Sequence, residues 1–141
     1  MLVEYARNVL GAEGAEHAET SPGAADLVVT SLSCSLWGQE HPVVLVPGTR
    51  AAGLYEVESA VEDYFCSYGL SPEYRPRMGE SGLRVSGVDE EGEPRIVELD
   101  GHPFFVATLY QPERSGLAGT RHPLIAAFVD AARAHATTRP R

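Results

Sequence analysis

The chain is short of positive charge. Against 20 Asp and Glu it carries 11 Lys and Arg, a formal net charge of −9. Binding a phosphate backbone depends on clustered basic residues that displace counterions. Here they are scattered, several of them at the extreme C-terminus, so neither nucleic acid nor an anionic membrane is expected as a partner. Long apolar runs are missing too: none approaches the roughly 18 residues of a membrane helix. The opening "MLVEYARNVLG" sets Glu4 and Arg7 inside its apolar pattern, which no signal peptide does. Only two cysteines occur, Cys34 and Cys66. Without a secretory segment, two free thiols in a reducing cytoplasm are expected. No C-x-x-C or H-x-x-x-H spacing is present, so no metal site is expected. No Gly-rich phosphate cradle occurs, so no nucleotide cofactor is expected either.

What is there reads as one ordinary globular domain: 141 residues, 43% hydrophobic and 22% charged. Residues 1–136 are expected to form it and 137–141 a frayed tail. Leu2, Val3, Ala6, Val9 and Leu10 recur at helical spacing, with Gly11 as a stop. Residues 12–24 read as a surface loop, 26–32 and 41–48 as strands, 50–55 as a helical turn, and 61–70 as a strand running into a loop. Ser71-Pro72 predicts a helix start, over 72–80. Residues 83–99 are the clearest hairpin, two β-rich arms around the solvated acidic turn "DEEGE". The apolar run 102–110 predicts a strand covered on both faces. The last helix is predicted over 122–136, with an apolar stripe of Leu124, Ile125, Phe128, Val129 and Ala132. The sum is an α/β layered domain.

At "EYARNVLG", "SGVDEEGEPRIVEL", "HPFFVATLYQPE" and "HPLIAAFVDAA" the chain resembles the glutaminase domain of CTP synthase, a class I glutamine amidotransferase. The closer resemblance is to small CTP-synthase-like proteins. It implies an incomplete flavodoxin-like, amidotransferase-like sheet, mostly parallel and flanked by helices. It also implies hydrolysis of a glutamine amide by a cysteine nucleophile, a histidine base and a glutamate that orients the histidine. Carried over residue by residue, most of this chemistry is lost. The nucleophile turn would lie before "MLVEYARN". The histidine corresponds to Gln111, which cannot accept a proton near neutral pH. Only Glu113 matches. The family's substrate-gripping arginine falls at Ser67 and a histidine at Cys66, while Tyr68 matches a tyrosine. The loop that closes over glutamine corresponds to "SCSLWG", with Leu36 and Gly38 matching. Glutaminase activity from this chain alone is therefore not expected.

Candidate catalytic residues are Glu113, Gln111 and Cys66, and candidate substrate-binding residues are Cys34, Leu36, Trp37, Gly38, Ser67 and Tyr68. Each has a plain structural alternative. "QPE" can be a strand-end turn, the cysteines small buried hydrophobes, and Trp37 a core plug. Three functions remain open. The first is a repurposed enzyme of specialised metabolism, using Glu113 for proton transfer (isomerisation, cyclisation or hydration) on a small organic substrate. The second is a degenerate, non-catalytic glutaminase subunit that binds a metabolite or a partner. The third is an amidotransferase completed by another chain. A sheet without its front strands would leave apolar surface and an open edge, so a homo-oligomer, most simply a two-fold dimer, is expected. A partner protein or a longer native chain would serve the same end.

Overall fold

β-branched and aromatic stretches make the strands, and the short helices fall between them. The computed structural model describes residues 1–138. In chain order it contains α1 (Leu2–Asn8), β1 (Glu16–His17), β2 (Leu27–Ser31), β3 (Gln39–Leu45), α2 (Arg50–Tyr55), β4 (Ser59–Tyr64) and β5 (Tyr68–Leu70). Then follow α3 (Arg75–Glu80), β6 (Leu83–Val88), β7 (Pro94–Leu99), β8 (Val106–Thr108), a 3-10 turn (Pro112–Gly116) and α4 (Pro123–Thr138). Five strands form one sheet in the order β4-β3-β6-β7-β8, and three form a second, β1-β2-β5. The α/β class with helices flanking the sheets is as expected. The strand directions are not mostly parallel: among the described strands only β1 and β2 pair in parallel, and the other neighbours are antiparallel. Short connections explain this, because antiparallel neighbours can be joined by a tight turn whereas parallel ones need a long crossover.

The hairpin spans 83–99 as predicted, β6 pairing with β7 from Leu83↔Leu99 onward. Its acidic turn is less solvated than expected. Asp89 accepts the amides of Glu91 and Glu93 and pairs with Arg95 at 2.5 Å, leaving Glu90 and Glu91 exposed. The stretch 61–70 divides in two. Tyr64 ends β4, and Tyr68 begins β5 in the other sheet. Between them the carbonyls of Tyr64, Cys66 and Ser67 accept the amides of Gly38, Leu36 and Leu32. One extended segment thus passes from sheet to sheet while loop 32–38 stays zipped along it.

Other differences have local causes. The stretch 12–24 contains the two-residue β1. The helix expected from Pro72 starts at Arg75, because the Ser71 amide is bonded to the Val28 carbonyl and still belongs to the sheet. The apolar run 102–110 yields only the three-residue β8, at the sheet edge. Phe105 and Ala107 pack on one core cluster and Val106 and Leu109 on the other, so both faces meet apolar neighbours, but all four are only half-buried. α4 runs to Thr138, two residues beyond the predicted end, and 139–141 of the predicted tail lie outside the described residues. Its apolar stripe is mostly exposed; Leu124 is its one buried residue.

α2 is fixed from beneath. Thr49 caps it through Ala52, and the buried Glu98 of β7 accepts the Arg50 and Ala51 amides at 2.8 and 3.0 Å. Burial by itself would raise the Glu98 carboxyl. The Arg50 and Ala51 amides, joined by Arg84, outweigh it and hold the group below its ordinary value.

Candidate functional site

The Gln-Pro-Glu turn leaves the five-stranded sheet directly after the buried Tyr110. Gln111 is tied at two points, to β4 and to the residue that follows it. Its amide N–H donates to the Asp63 carbonyl at 3.1 Å, and its side-chain Oε1 accepts the Phe65 N–H at 2.6 Å. Pro112, with no N–H and a fixed φ, opens the 3-10 turn. Glu113, in that first turn, is exposed, and among the described residues its carboxylate makes no hydrogen bond or ion pair. The neighbouring Arg114 lies over the Phe65 ring, 3.8 Å from its centroid. Gln111 and Glu113 therefore leave the turn in different directions of duty, one inward to backbone and one to solvent.

Several expected binding residues do gather beside Gln111. Phe65 meets Trp37 edge-on at 5.7 Å, and Trp37 is 67% exposed. Gly38 takes φ +71°, a left-handed turn that glycine enters without penalty. Ser67 Oγ lies 2.7 Å from Ser35 Oγ. The half-buried Cys66 thiol is occupied locally, donating to the Tyr68 carbonyl and accepting the Tyr68 N–H. The Tyr68 ring rests near His17. Cys34 and Leu36 are turned elsewhere. They line an open groove of about 720 Å³ that also involves Ser31, His41, Gly69 and Glu91. Gln111, Glu113 and Cys66 do not line it. Two arginines reach this groove, and both are paired, Arg75 with Glu93 and Arg95 with Asp89. Among the described residues no cluster of His, Cys, Asp or Glu has the makings of a metal site. No helix of the described residues is long and apolar enough to cross a membrane.

The densest polar constellation was not foreseen. Beneath the turn, Tyr55, Glu62, Tyr110 and His122 converge from α2, β4, the end of the β8 segment and the start of α4. Tyr55 Oη donates to Glu62 Oε1 at 2.5 Å and lies 2.7 Å from Tyr110 Oη. His122 Nε2 lies 3.1 Å from Glu62 Oε1, and its Nδ1 accepts the Leu124 N–H at 3.2 Å. Burial first, then the neighbouring groups, pushes the Tyr55 phenol far above its ordinary value, and burial does the same to Tyr110. Tyr64, packed edge-on to Tyr110, is pushed up to about 12 by burial, against the pull of Arg95. No spacing in the sequence announces this knot. His122 reads there only as the first residue of the predicted last helix.

No protein-family model matches the chain. Individual relatives do. Over 99% of its length the chain is 34% identical to the CTP synthase of Bifidobacterium longum. Over 93% it is 36% identical to that of Pyrobaculum aerophilum. It spans only 28% and 27% of those two proteins. Among solved structures it superposes on the CTPS glutaminase domain of Trypanosoma brucei, determined with bound acivicin, with a TM-score of 0.82 and 22% identity. That match covers 94% of this chain and 56% of the trypanosome chain. By sequence over nearly its whole length and by fold, the chain is of the CTP synthase type among class I glutamine amidotransferase domains.

Proposed function

We propose that the chain is a non-catalytic binding domain on an amidotransferase scaffold, and that its ligand is a neutral or cationic small molecule held in the groove beside Cys34 and Leu36. One observation carries this reading: the Gln111 side-chain carbonyl is spent on the Phe65 amide, while Glu113 stands exposed and, among the described residues, unpaired. An acid/base pair needs two groups that face one substrate from within hydrogen-bonding reach. Here one group is committed to backbone and the other is in water. The Cys66 thiol, bonded within its own turn, has no base or helix N-terminus described beside it to activate it.

The groove's charges point to the ligand class. Its arginines are already neutralised by Glu93 and Asp89, whereas Glu90 and Glu91 remain exposed at its rim beside the hydroxyls of Thr30, Ser31 and Ser33. A carboxylate or phosphate would meet net repulsion there; an amine or a polyol would not. The test pairs two measurements on the intact chain. Ammonia release from L-glutamine should not exceed the buffer rate. Backbone amide shifts on adding a set of small amines and polyols should concentrate at Ser31, Cys34, Leu36 and Gly69. Turnover of glutamine that disappears in Glu113→Gln would overturn the reading in favour of catalysis at the Gln-Pro-Glu turn. Shifts clustered at residues 65–67 and 111–114 instead of the groove would restore that turn as the ligand site.

A further inference from the structure

The groove beside Cys34 and Leu36 is lined in part by a free strand edge. β5 is an outer strand of the three-stranded sheet, bonded to β2 on one side only. The Ser71 amide bonds the Val28 carbonyl, and the Leu32 amide bonds the Ser67 carbonyl. Bonded pairs alternate along an antiparallel ladder, so Thr30 and Gly69 are bonded between them, and Tyr68 and Leu70 turn their N–H and C=O groups outward. Val29, opposite Leu70, agrees: its carbonyl accepts the Ala18 amide on the β1 side of β2. The two outward residues differ. The Cys66 thiol takes both Tyr68 groups, donating to the carbonyl and accepting the N–H. Among the described residues the Leu70 N–H and C=O have no partner, and Leu70 lines the groove.

Leu70 is buried, and buried main-chain groups that stay unpaired cost free energy comparable to a lost hydrogen bond. An ammonium group can only donate and a carboxylate can only accept. A residue of extended peptide presents a donor and an acceptor at the spacing of a ladder, which is how a peptide adds to a sheet edge. The volume of about 720 Å³ falls in the range of sites for ligands of many atoms, well beyond what a simple amine fills. The charges add a second condition. Arg75 and Arg95 are paired, and Glu90 and Glu91 are exposed with no side-chain partner among the described residues.

We propose that the ligand of the groove is a short basic peptide in extended form, one residue of which exchanges N–H···O bonds with Leu70 while its lysine or arginine neighbours meet Glu90 and Glu91. This rests on the groove being the ligand site. The edge offers one residue pair and no more. On one side Tyr68 is capped by Cys66; on the other the next outward position is Pro72, which has no N–H to give. The main chain therefore fixes the register of the peptide, and the carboxylates select its charge. The net charge of −9 draws a cationic chain in, so salt weakens the complex.

The test titrates acetyl-Lys-Val-Lys-amide into the intact chain, beside the same peptide N-methylated at valine, its Glu-Val-Glu counterpart, and butylamine. Amide shifts with the first peptide should centre on Gly69, Leu70, Glu90 and Glu91, and hydrogen exchange at the Leu70 amide should slow at saturation. N-methylation removes the donor to Leu70 and should weaken binding at least about fivefold. Replacing Glu90→Gln and Glu91→Gln together should weaken it several-fold without moving the thermal melt, and the acidic peptide should not bind. Equal affinity of the N-methylated peptide, or unchanged exchange at Leu70, overturns the strand pairing. If butylamine shifts the groove and the basic peptide does not, this inference fails while the groove stands as a ligand site. If none of the probes shifts the groove, both fail.

Discussion

Tyr110 and Gln111 are consecutive residues that belong to two different kinds of polar site. Tyr110 turns inward to the knot with Tyr55, Glu62 and His122; Gln111 begins the outward turn that carries Glu113. In the knot every donor finds an acceptor. The Leu124 N–H can only donate, so His122 Nδ1 accepts it, and the imidazole carries its proton on Nε2, toward Glu62. Tyr55 also donates to Glu62, and Tyr110 completes the chain by donating to Tyr55. Glu62 is thus a buried carboxylate with two donors, and it joins four elements of the fold. Glu113 is exposed and has no partner among the described residues. The carboxylate that a family motif marks is exposed, and the one no motif marks is buried and bonded to two other side chains. Residue type says what a group can do; its surroundings say which task it has.

The comparison breaks most readily at Glu62. Glu62→Leu removes the shared acceptor and strands the Tyr55 hydroxyl and His122 N–H in the interior. The expected loss is about 3 kcal/mol of unfolding free energy, read from urea denaturation. A loss under about 1 kcal/mol would mean that the knot is not the hold described here.

The next effect needs no mutation. Tyr55, Tyr64 and Tyr110 are each raised above their ordinary 10. A group raised on folding contributes stability that is complete below its unfolded pKa and is lost as pH climbs through the folded one. Unfolding should therefore set in above pH 10, and Tyr64, moved from 10 to about 12, alone withdraws up to about 3 kcal/mol. Phenolate absorbance from these three should rise together with the loss of circular dichroism. Phenolate that forms while the fold persists would show the knot open to solvent. Glu98 acts at the other end of the scale. Its lowered carboxyl contributes stability above the ordinary glutamate value of 4.5 that is lost as pH falls below it.

Much of the fold was legible in the sequence, for reasons that differ by element. The hairpin 83–99 was plain because alternation and turn residues act locally. The end of α2 at Tyr55 and the start of α4 beside Pro123 were plain for the same reason. The run 102–110 misled because its apolar residues serve two cores, one on each face, at an edge that leaves them half-exposed. Of the site, the sequence marked the loops 34–38 and 66–68 and the turn 111–113; the structure zips the two loops together, with Phe65 and Trp37 beside Gln111 but Cys34 and Leu36 in the groove. It could not mark the knot. Glu62, Tyr110 and His122 are 48 and 12 residues apart in the chain, and only the packing of β4 against the α4 start makes them neighbours.

The smallest effects sharpen the contrast within the turn itself. Gln111→Ala leaves the half-buried Phe65 N–H without its acceptor and should cost about 1 kcal/mol, the usual worth of one such bond. Glu113→Gln alters an exposed carboxylate with no partner among the described residues and should change stability by less than about 0.5 kcal/mol. The order matters more than either value. If Gln111 is structural and Glu113 is idle, thermal melts in parallel will separate them in that order. Reversal, with Glu113→Gln the more damaging, would show that the carboxylate has a partner in solution. Because Glu113→Gln is expected to be silent in folding, any change it makes in ligand binding or turnover can be assigned to Glu113 directly.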